Sequence, residues 1–340
     1  MRLLKSRVFF AIFLSEPTVS SSPIVLMYHG VPRQGRLQPL DGAAFERQIV
    51  FLRRNCTFIH AEQYALSRGS LRQPAVLLTF DDGFRNNAEV AAPILRRHNV
   101  PAVFFVASRH CTPGRFLWFT YVEMLKALFP GSAVRLNGKT ISLKGADRER
   151  GIQEVTRQLL TLKPHPRATY DAIESQLPPL ESFATAEILA DEAQGMLPEQ
   201  IRDLAQDPLF TIGAHTVDHP RLTRCEPDEV AHQLAHNKAW LESVTGKACD
   251  QFAYPEADFD GSVLEQCRRL GFRQAFGTER VSIVDDQFAI RRIGVYSRSL
   301  APLGVKLWCG HWLPVIAIHK LRGFARNPMA TLENGNASGA

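Results

Sequence analysis

The 340-residue sequence has no CxxC pair: its six cysteines, at positions 56, 111, 225, 249, 267 and 309, stand far apart. That spacing excludes a zinc ribbon and argues against a disulfide framework, so the thiols read as reduced. No stretch approaches the ~20 consecutive apolar residues of a membrane-spanning helix. The basic residues are scattered and the net charge of +6 is modest, which leaves no patch for nucleic acid. The N-terminus has little of a signal peptide. Arg2, Lys5 and Arg7 precede a short apolar run from Val8 to Leu14, and Ser20-Ser21-Ser22 makes a poor cleavage site. A cytoplasmic or membrane-peripheral location is favoured, with secretion left open by that run. The rest of the composition is ordinary: 45% hydrophobic and 22% charged residues, enough for one large core or two small ones.

Short β-rich runs recur along the chain. Ile24–Tyr28, Ala75–Phe80, Ala102–Val106, Phe210–Ala214, Gln251–Tyr254, Arg273–Phe276 and Ala289–Val295 are the candidate strands. The second and third are continuously apolar, as parallel strands covered on both faces should be. Helical patterns at 87–97, 228–244 and 262–270 alternate with them. Asn99 and Pro101 close the first, and Gly271 ends the last. This alternation predicts a parallel α/β sheet or barrel of about seven strands.

From Gly114 to about Glu199 the rhythm breaks. Helical patterns at 118–129, 148–162 and 170–177, punctuated by Pro164, Pro166, Pro178 and Pro179, read as a helical insertion with no strand core. The expected organisation is an N-terminal segment 1–22, a main domain 23–300 carrying an insertion at about 115–200, and an extension 301–340 ending in a disordered tail. Within that extension, the stretch from Leu307 to Ile318 is apolar and followed by Lys320, Arg322 and Arg326. It reads as a core helix, with peripheral membrane contact as the alternative.

Two constellations carry chemistry. Asp81-Asp82 follows the run AVLLTF directly. In a regular strand the two carboxylates would face opposite sides. Gly83 permits a turn that brings both to one pocket at the strand's C-terminal edge, where parallel α/β folds place their sites. A cation between them, or a proton on one, would remove their repulsion. Capping of the following helix is the alternative. The second constellation, His215 to Pro220, follows the strand Phe210–Ala214. Histidines four apart share one face of a helical turn and suit a shared metal. His232 and His236 have the same spacing but lie inside an amphipathic helix, and they read as a solvated face. Position at a strand end singles out His215 and His219. Two imidazoles and one carboxylate leave a coordination position open, as catalytic zinc sites do, and free the other carboxylate to act as a base.

TFDDG, then HTVDHP, then FAYP, then IRRIGV resembles the polysaccharide deacetylase family, the NodB homology domain or carbohydrate esterase family 4, over roughly residues 23 to 296. The resemblance implies a distorted (β/α) barrel that removes N-acetyl groups from N-acetylglucosamine-type units by way of metal-activated water. It implies Asp81 as the catalytic base and Asp82, His215 and His219 as the metal triad. Zinc fits those ligands best; Co, Ni or Fe would also suit. Tyr254, Pro255 and Glu256 fall at the motif that lines the substrate, with the Glu256 backbone N–H as oxyanion donor.

Two departures matter. The third motif lacks the family's arginine and carries Glu256 in place of an aromatic residue, so the substrate lining is not the usual one. Arg292 on the late strand is expected to supply the charge that orients Asp81, with Arg291 as the alternative on the other face. The family's late Leu-x-His motif is absent after Arg292, and His311 and His319 do not sit at a strand end. Leu26-Met27-Tyr28-His29-Gly30 does, which resembles the branch with that motif permuted to the front and implies His29 as the general acid. A histidine bonded to the backbone is the alternative reading of His29. Two functional alternatives stand beside N-acetyl hydrolysis of a carbohydrate substrate. One is a deformylase or amidase on a lipid-linked sugar or non-sugar amide, motivated by Trp118, Phe119 and Tyr121. The other is a non-catalytic carbohydrate-binding protein.

Overall fold

A computed structural model describes residues 23–67, 74–162, 166–278 and 287–309. The N-terminal segment, the chain beyond 309, and with it His311 and His319, lie outside the described residues. Ten strands are described: β1 Ile24–Tyr28, β2 Thr57–Phe58, β3 Ala75–Phe80, β4 Ala102–Val106, β5 Ala133–Leu136, β6 Lys139–Ser142, β7 Phe210–Ala214, β8 Gln251–Ala253, β9 Gln274–Phe276 and β10 Ile293–Gly294. Eight form one parallel sheet in the order β10-β1-β3-β4-β7-β8-β9, with β2 beside the start of β3. Parallel neighbours need crossovers, and helices such as Gly42–Asn55, Ala92–His98 and Pro227–Thr245 supply them.

The expected late strand over 289–295 divides its pairing. Ile290 bridges to Phe276 of β9, whereas Ile293 and Gly294 pair with Leu26 and Met27 of β1. A single short segment thus spans the two ends of the sheet and curls it into a barrel. Strand alternation then sorts the side chains. Val25, Leu77, Val103, Phe105, Ala253, Phe276 and Ile290 make one buried cluster inside the curl. Leu26, Leu78, Phe80, Phe104 and Ile212 face the helices and merge with Phe45, Leu95 and Leu234 in the larger core. Gly213 falls where an added Cβ would stand 2.5 Å from the Phe105 ring, so the inner packing demands glycine there.

The stretch expected to be wholly helical also holds an antiparallel hairpin, β5 with β6. Its alternation is legible once known: Val134, Leu136 and Ile141 are buried and their neighbours exposed. These residues join Tyr121, Leu125, Val155 and Leu159 in a second apolar cluster separate from the barrel's. Among the described residues no helix is long and apolar enough to cross a membrane, and Leu303 and Leu307 of the helix Leu300–Cys309 are buried in the barrel's core cluster. The described cysteines 56, 111, 225, 249 and 267 are free.

Candidate metal and acid–base centre

Asp81 and Asp82 share a pocket but not an environment. Asp81 continues the inward face of Leu77 and Thr79, and its backbone N–H extends the ladder to the Tyr28 carbonyl at 3.0 Å. Its two oxygens accept from both terminal nitrogens of Arg292, at 2.6 and 2.8 Å. Arg292 is fully buried. It also donates through Nε to the Gly277 carbonyl at 2.8 Å and lies over the Phe105 ring, 5.4 Å from its centroid. Such a bidentate fork fixes the carboxylate plane as well as its charge. Burial pushes the Asp81 carboxyl up, but the Arg292 and His215 charges outweigh it and hold Asp81 below the ordinary carboxylate range. Of the two candidate arginines, it is Arg292 that reaches Asp81.

Asp82 turns away because its own backbone does. Its φ is +76°, and that of Gly83 is +77°. The turn therefore begins one residue earlier than glycine alone would place it. Left-handed backbone at a non-glycine residue costs on the order of 1–3 kcal/mol and persists only where the surroundings impose it. Here His110 does so in part: its ring nitrogens lie 3.1 Å from the Asp82 carbonyl and 2.7 Å from the Ala193 carbonyl. The Met196 N–H donates to the Gly83 carbonyl at 2.9 Å, so the end of the insertion holds the turn. Among the described residues neither Asp82 oxygen has a hydrogen-bond partner, although Asp82 is only 1% exposed. Helix capping is thereby excluded for both acids.

His215 and His219 supply what Asp82 lacks, although not from a helical turn. Thr216 and His219 have φ of +67° and +54°, and the segment is a tight loop. The His219 N–H donates to the Thr216 hydroxyl at 3.0 Å. Both Nε2 atoms approach Asp82 Oδ1, at 3.5 Å from His215 and 3.4 Å from His219. These distances are too long for good hydrogen bonds. The three candidate ligand atoms lie within 4.8 Å of one another, an arrangement able to hold a cation. The His215 Nδ1 lies 2.7 Å from the Ala253 carbonyl, which fixes the tautomer with a free Nε2 lone pair. His219 Nδ1 is buried without a partner among the described residues. Burial pushes the His219 imidazole down to about 4, against the pull of Asp82, which keeps it neutral and able to ligate. For His215, burial acts the same way, but the Asp81 and Asp82 charges prevail and raise it.

The loop itself is gripped by residues that sequence reasoning missed. Asn237, on the helix Pro227–Thr245, accepts from the His215 N–H at 2.9 Å and donates to the Val106 carbonyl at 3.1 Å. Gln233, one turn earlier, accepts from the N–H groups of Val217 and Asp218 at 3.0 and 2.8 Å. Both amides are completely buried. The available signal was two amides four apart on a face otherwise occupied by Val230, Leu234 and Leu241. His110 follows β4 and carried the same strand-end signal as His215.

The remaining candidates lie as follows. His29 sits at the end of β1, half-buried, its ring 5.8 Å from that of Tyr296. It is near enough for its charge to act on Asp81, Asp82 and His219. No backbone hydrogen bond holds its ring among the described residues. The loop that follows is fastened to the insertion: the N–H groups of Arg36, Leu37 and Gln38 donate to buried Glu192 at 2.5, 3.3 and 3.2 Å. The Tyr254 side chain points into the core, with its hydroxyl donating to the Phe288 carbonyl at 2.9 Å. Of the three motif residues, it is Glu256 that lines the cleft beside His219. Glu256, at φ +52°, lines a cleft together with His219 and Trp118, and its carboxylate accepts from Arg221 Nε at 2.6 Å. Phe119 packs edge-on against the His219 ring at 5.0 Å, whereas Tyr121 is buried in the insertion and donates to the Pro178 carbonyl.

A parallel barrel with acid and imidazole groups gathered at its strand ends defines the NodB-type class. A family model described as polysaccharide deacetylase matches residues 68–131 and 160–275, more than half of the chain, and the chain belongs to that family. A curated relative, the Bacillus subtilis (strain 168) protein YxkH, which carries the name polysaccharide deacetylase, is 24% identical over 99 residues. That match spans 28% of this chain and only 35% of YxkH. Among solved structures, the Streptococcus pyogenes deacetylase PplD in complex with acetate superposes with a TM-score of 0.54 at 16% identity, covering 85% of this chain and 99% of that one. IcaB from Ammonifex degensii gives 0.51 at 21% identity, covering 82% and 93%. At such identities the likeness is one of fold.

Proposed function

We propose that this protein hydrolyses the N-acetyl amide of an N-acetylglucosamine-type unit in a glycan, giving a free amine and acetate. The observation that carries the proposal is the unlike treatment of two adjacent buried acids. Asp81 is held ionised by Arg292, and Asp82 faces two imidazoles with both oxygens unpartnered among the described residues. The donor set fits a divalent cation, zinc by preference, with Asp82, His215 and His219 as its ligands. Bound there, the cation supplies Lewis-acid polarisation of the acetyl carbonyl.

The chain's own groups do the rest. Asp81 accepts the proton of the attacking water, and the Arg292 fork holds its carboxylate in place while it does so. The Glu256 backbone N–H donates to the carbonyl oxygen as negative charge develops on it. His29 gives a proton to the departing amine. Phe119, packed on His219, excludes bulk water from one side of the site.

The test is acetate release from a panel of N-acetylated oligosaccharides and amino-sugar conjugates, using chelator-treated protein before and after zinc is restored. Asp81→Asn should abolish release while bound zinc stays near stoichiometric. Full activity in that variant would sink the assignment of the base. His29→Ala should keep zinc and lower turnover; an unchanged rate would move the acid role elsewhere. A non-catalytic carbohydrate-binding protein predicts sugar binding with no acetate from any substrate.

A further inference from the structure

Two loops meet beside His219. One leaves β7, carries both imidazoles and runs on through Pro220 to Arg221 and Thr223. The other leaves β8 and carries Tyr254 to Asp258. Two carboxylates tie them together. Glu256 Oε2 accepts from Arg221 Nε at 2.6 Å and also meets Arg221 Nη2. Asp258 Oδ2 accepts from the Thr223 N–H at 2.9 Å and from its hydroxyl at 2.7 Å.

The second loop bends sharply where it is tied. Glu256 and Ala257 both have left-handed backbone, with φ of +52° and +55°. Neither is glycine, so the surroundings must impose the bend. The N–H groups of Ala257 and Asp258 close onto the Tyr254 and Pro255 carbonyls, each at 3.0 Å. The Glu256 N–H makes no hydrogen bond among the described residues. The bend thus leaves one donor free, and that donor belongs to the residue whose side chain is anchored. The Arg221–Glu256 pair is partly exposed, its side chains 27% and 19% accessible. Such a pair adds little to overall stability. Its effect here is on geometry, because it sets the bent peptide against the loop that carries His215 and His219.

We infer that Arg221 and the Glu256 carboxylate are positioning groups for the reaction: their ion pair fixes the peptide whose N–H is the oxyanion donor. This rests on the deacetylase reading, in which that N–H answers the developing charge. Glu256 then acts twice, through its backbone on the substrate and through its side chain on its own backbone.

The test uses the zinc-loaded full chain with Arg221→Ala, Glu256→Ala, Glu256→Gln and the charge swap Arg221→Glu with Glu256→Arg. All keep the Glu256 N–H. Arg221→Ala and Glu256→Ala should each lower kcat about tenfold or more, since a displaced donor is lost from the transition state. KM should stay within about twofold, because ground-state binding is untouched. Bound zinc should stay stoichiometric. Glu256→Gln, which keeps an acceptor oxygen for Arg221, should lose less than Glu256→Ala, and the charge swap should recover part of the rate. Arg157→Ala, which breaks an exposed ion pair with Glu154 on the insertion, should change none of these. Hydrogen exchange of the Ala257 and Asp258 amides, read by mass spectrometry, separates the geometry from the reaction: it should quicken in Arg221→Ala and slow again in the charge swap. Unchanged exchange, an unchanged kcat, or zinc lost together with kcat would overturn the inference and leave the deacetylase reading standing on the activity of the unaltered protein. If no substrate releases acetate yet exchange responds as expected, the ion pair still fixes the bend and the deacetylase reading falls.

Discussion

The chain carries two pairs of histidines four residues apart, and the fold treats them oppositely. His215 and His219 sit on a loop at a strand end, almost wholly buried, their rings 4.9 Å apart around Asp82. His232 and His236 sit on the next helix, exposed, with rings 3.9 Å apart and no acid between them. The helix brings its other face to the loop: Gln233 and Asn237, interleaved with the exposed histidines, hold the buried pair in place. Spacing alone therefore carries no chemistry. What distinguishes the pairs is backbone that bends at Thr216 and His219, and an unpartnered carboxylate within reach.

His219→Ala should break the contrast outright, losing bound zinc and at least ~100-fold of the acetate-releasing activity, a floor set by what outer-shell changes alone can cost. Metal content measured beside turnover checks it. Arg292→Gln tests the buried side of the contrast from the neighbouring acid. It strands the Asp81 charge inside the barrel and should cost about 3–5 kcal/mol in denaturant unfolding, in addition to activity. Asn237→Leu or Gln233→Leu leaves all three ligands present but releases their loop. Zinc affinity should fall by about 10- to 100-fold by competition with a chelator. The smallest effect belongs to the solvated pair: His232→Ala should change stability by less than ~0.5 kcal/mol and leave zinc content and turnover as they are. Zinc loss in that last variant would erase the distinction between the pairs.

The barrel was largely legible because its strands are short, apolar and punctuated. β1, β3, β4 and β7 fall where the β-rich runs lie, since each is covered on both faces and needs no polar alternation. The hairpin β5–β6 was not legible: four-residue strands holding Arg135, Lys139 and Thr140 carry little β signal until paired. The late strand was seen as one unit because sequence does not reveal that a strand can change partner midway. The acid and imidazole positions were legible from strand ends. Their support was not, because Gln233, Asn237 and His110 act through backbone groups that only the tertiary fold brings near.

Asp81 and Arg292 are 211 residues apart. A chain made from its N-terminus exposes the free edge of β1 and an uncompensated Asp81 until the last strand of the sheet is synthesised. The Arg292 fork and the β10 pairing arrive together, so closure of the barrel and compensation of that charge are one late event of high contact order. Truncation just before Ile290 should therefore yield an aggregation-prone species with an open sheet edge rather than a slower enzyme.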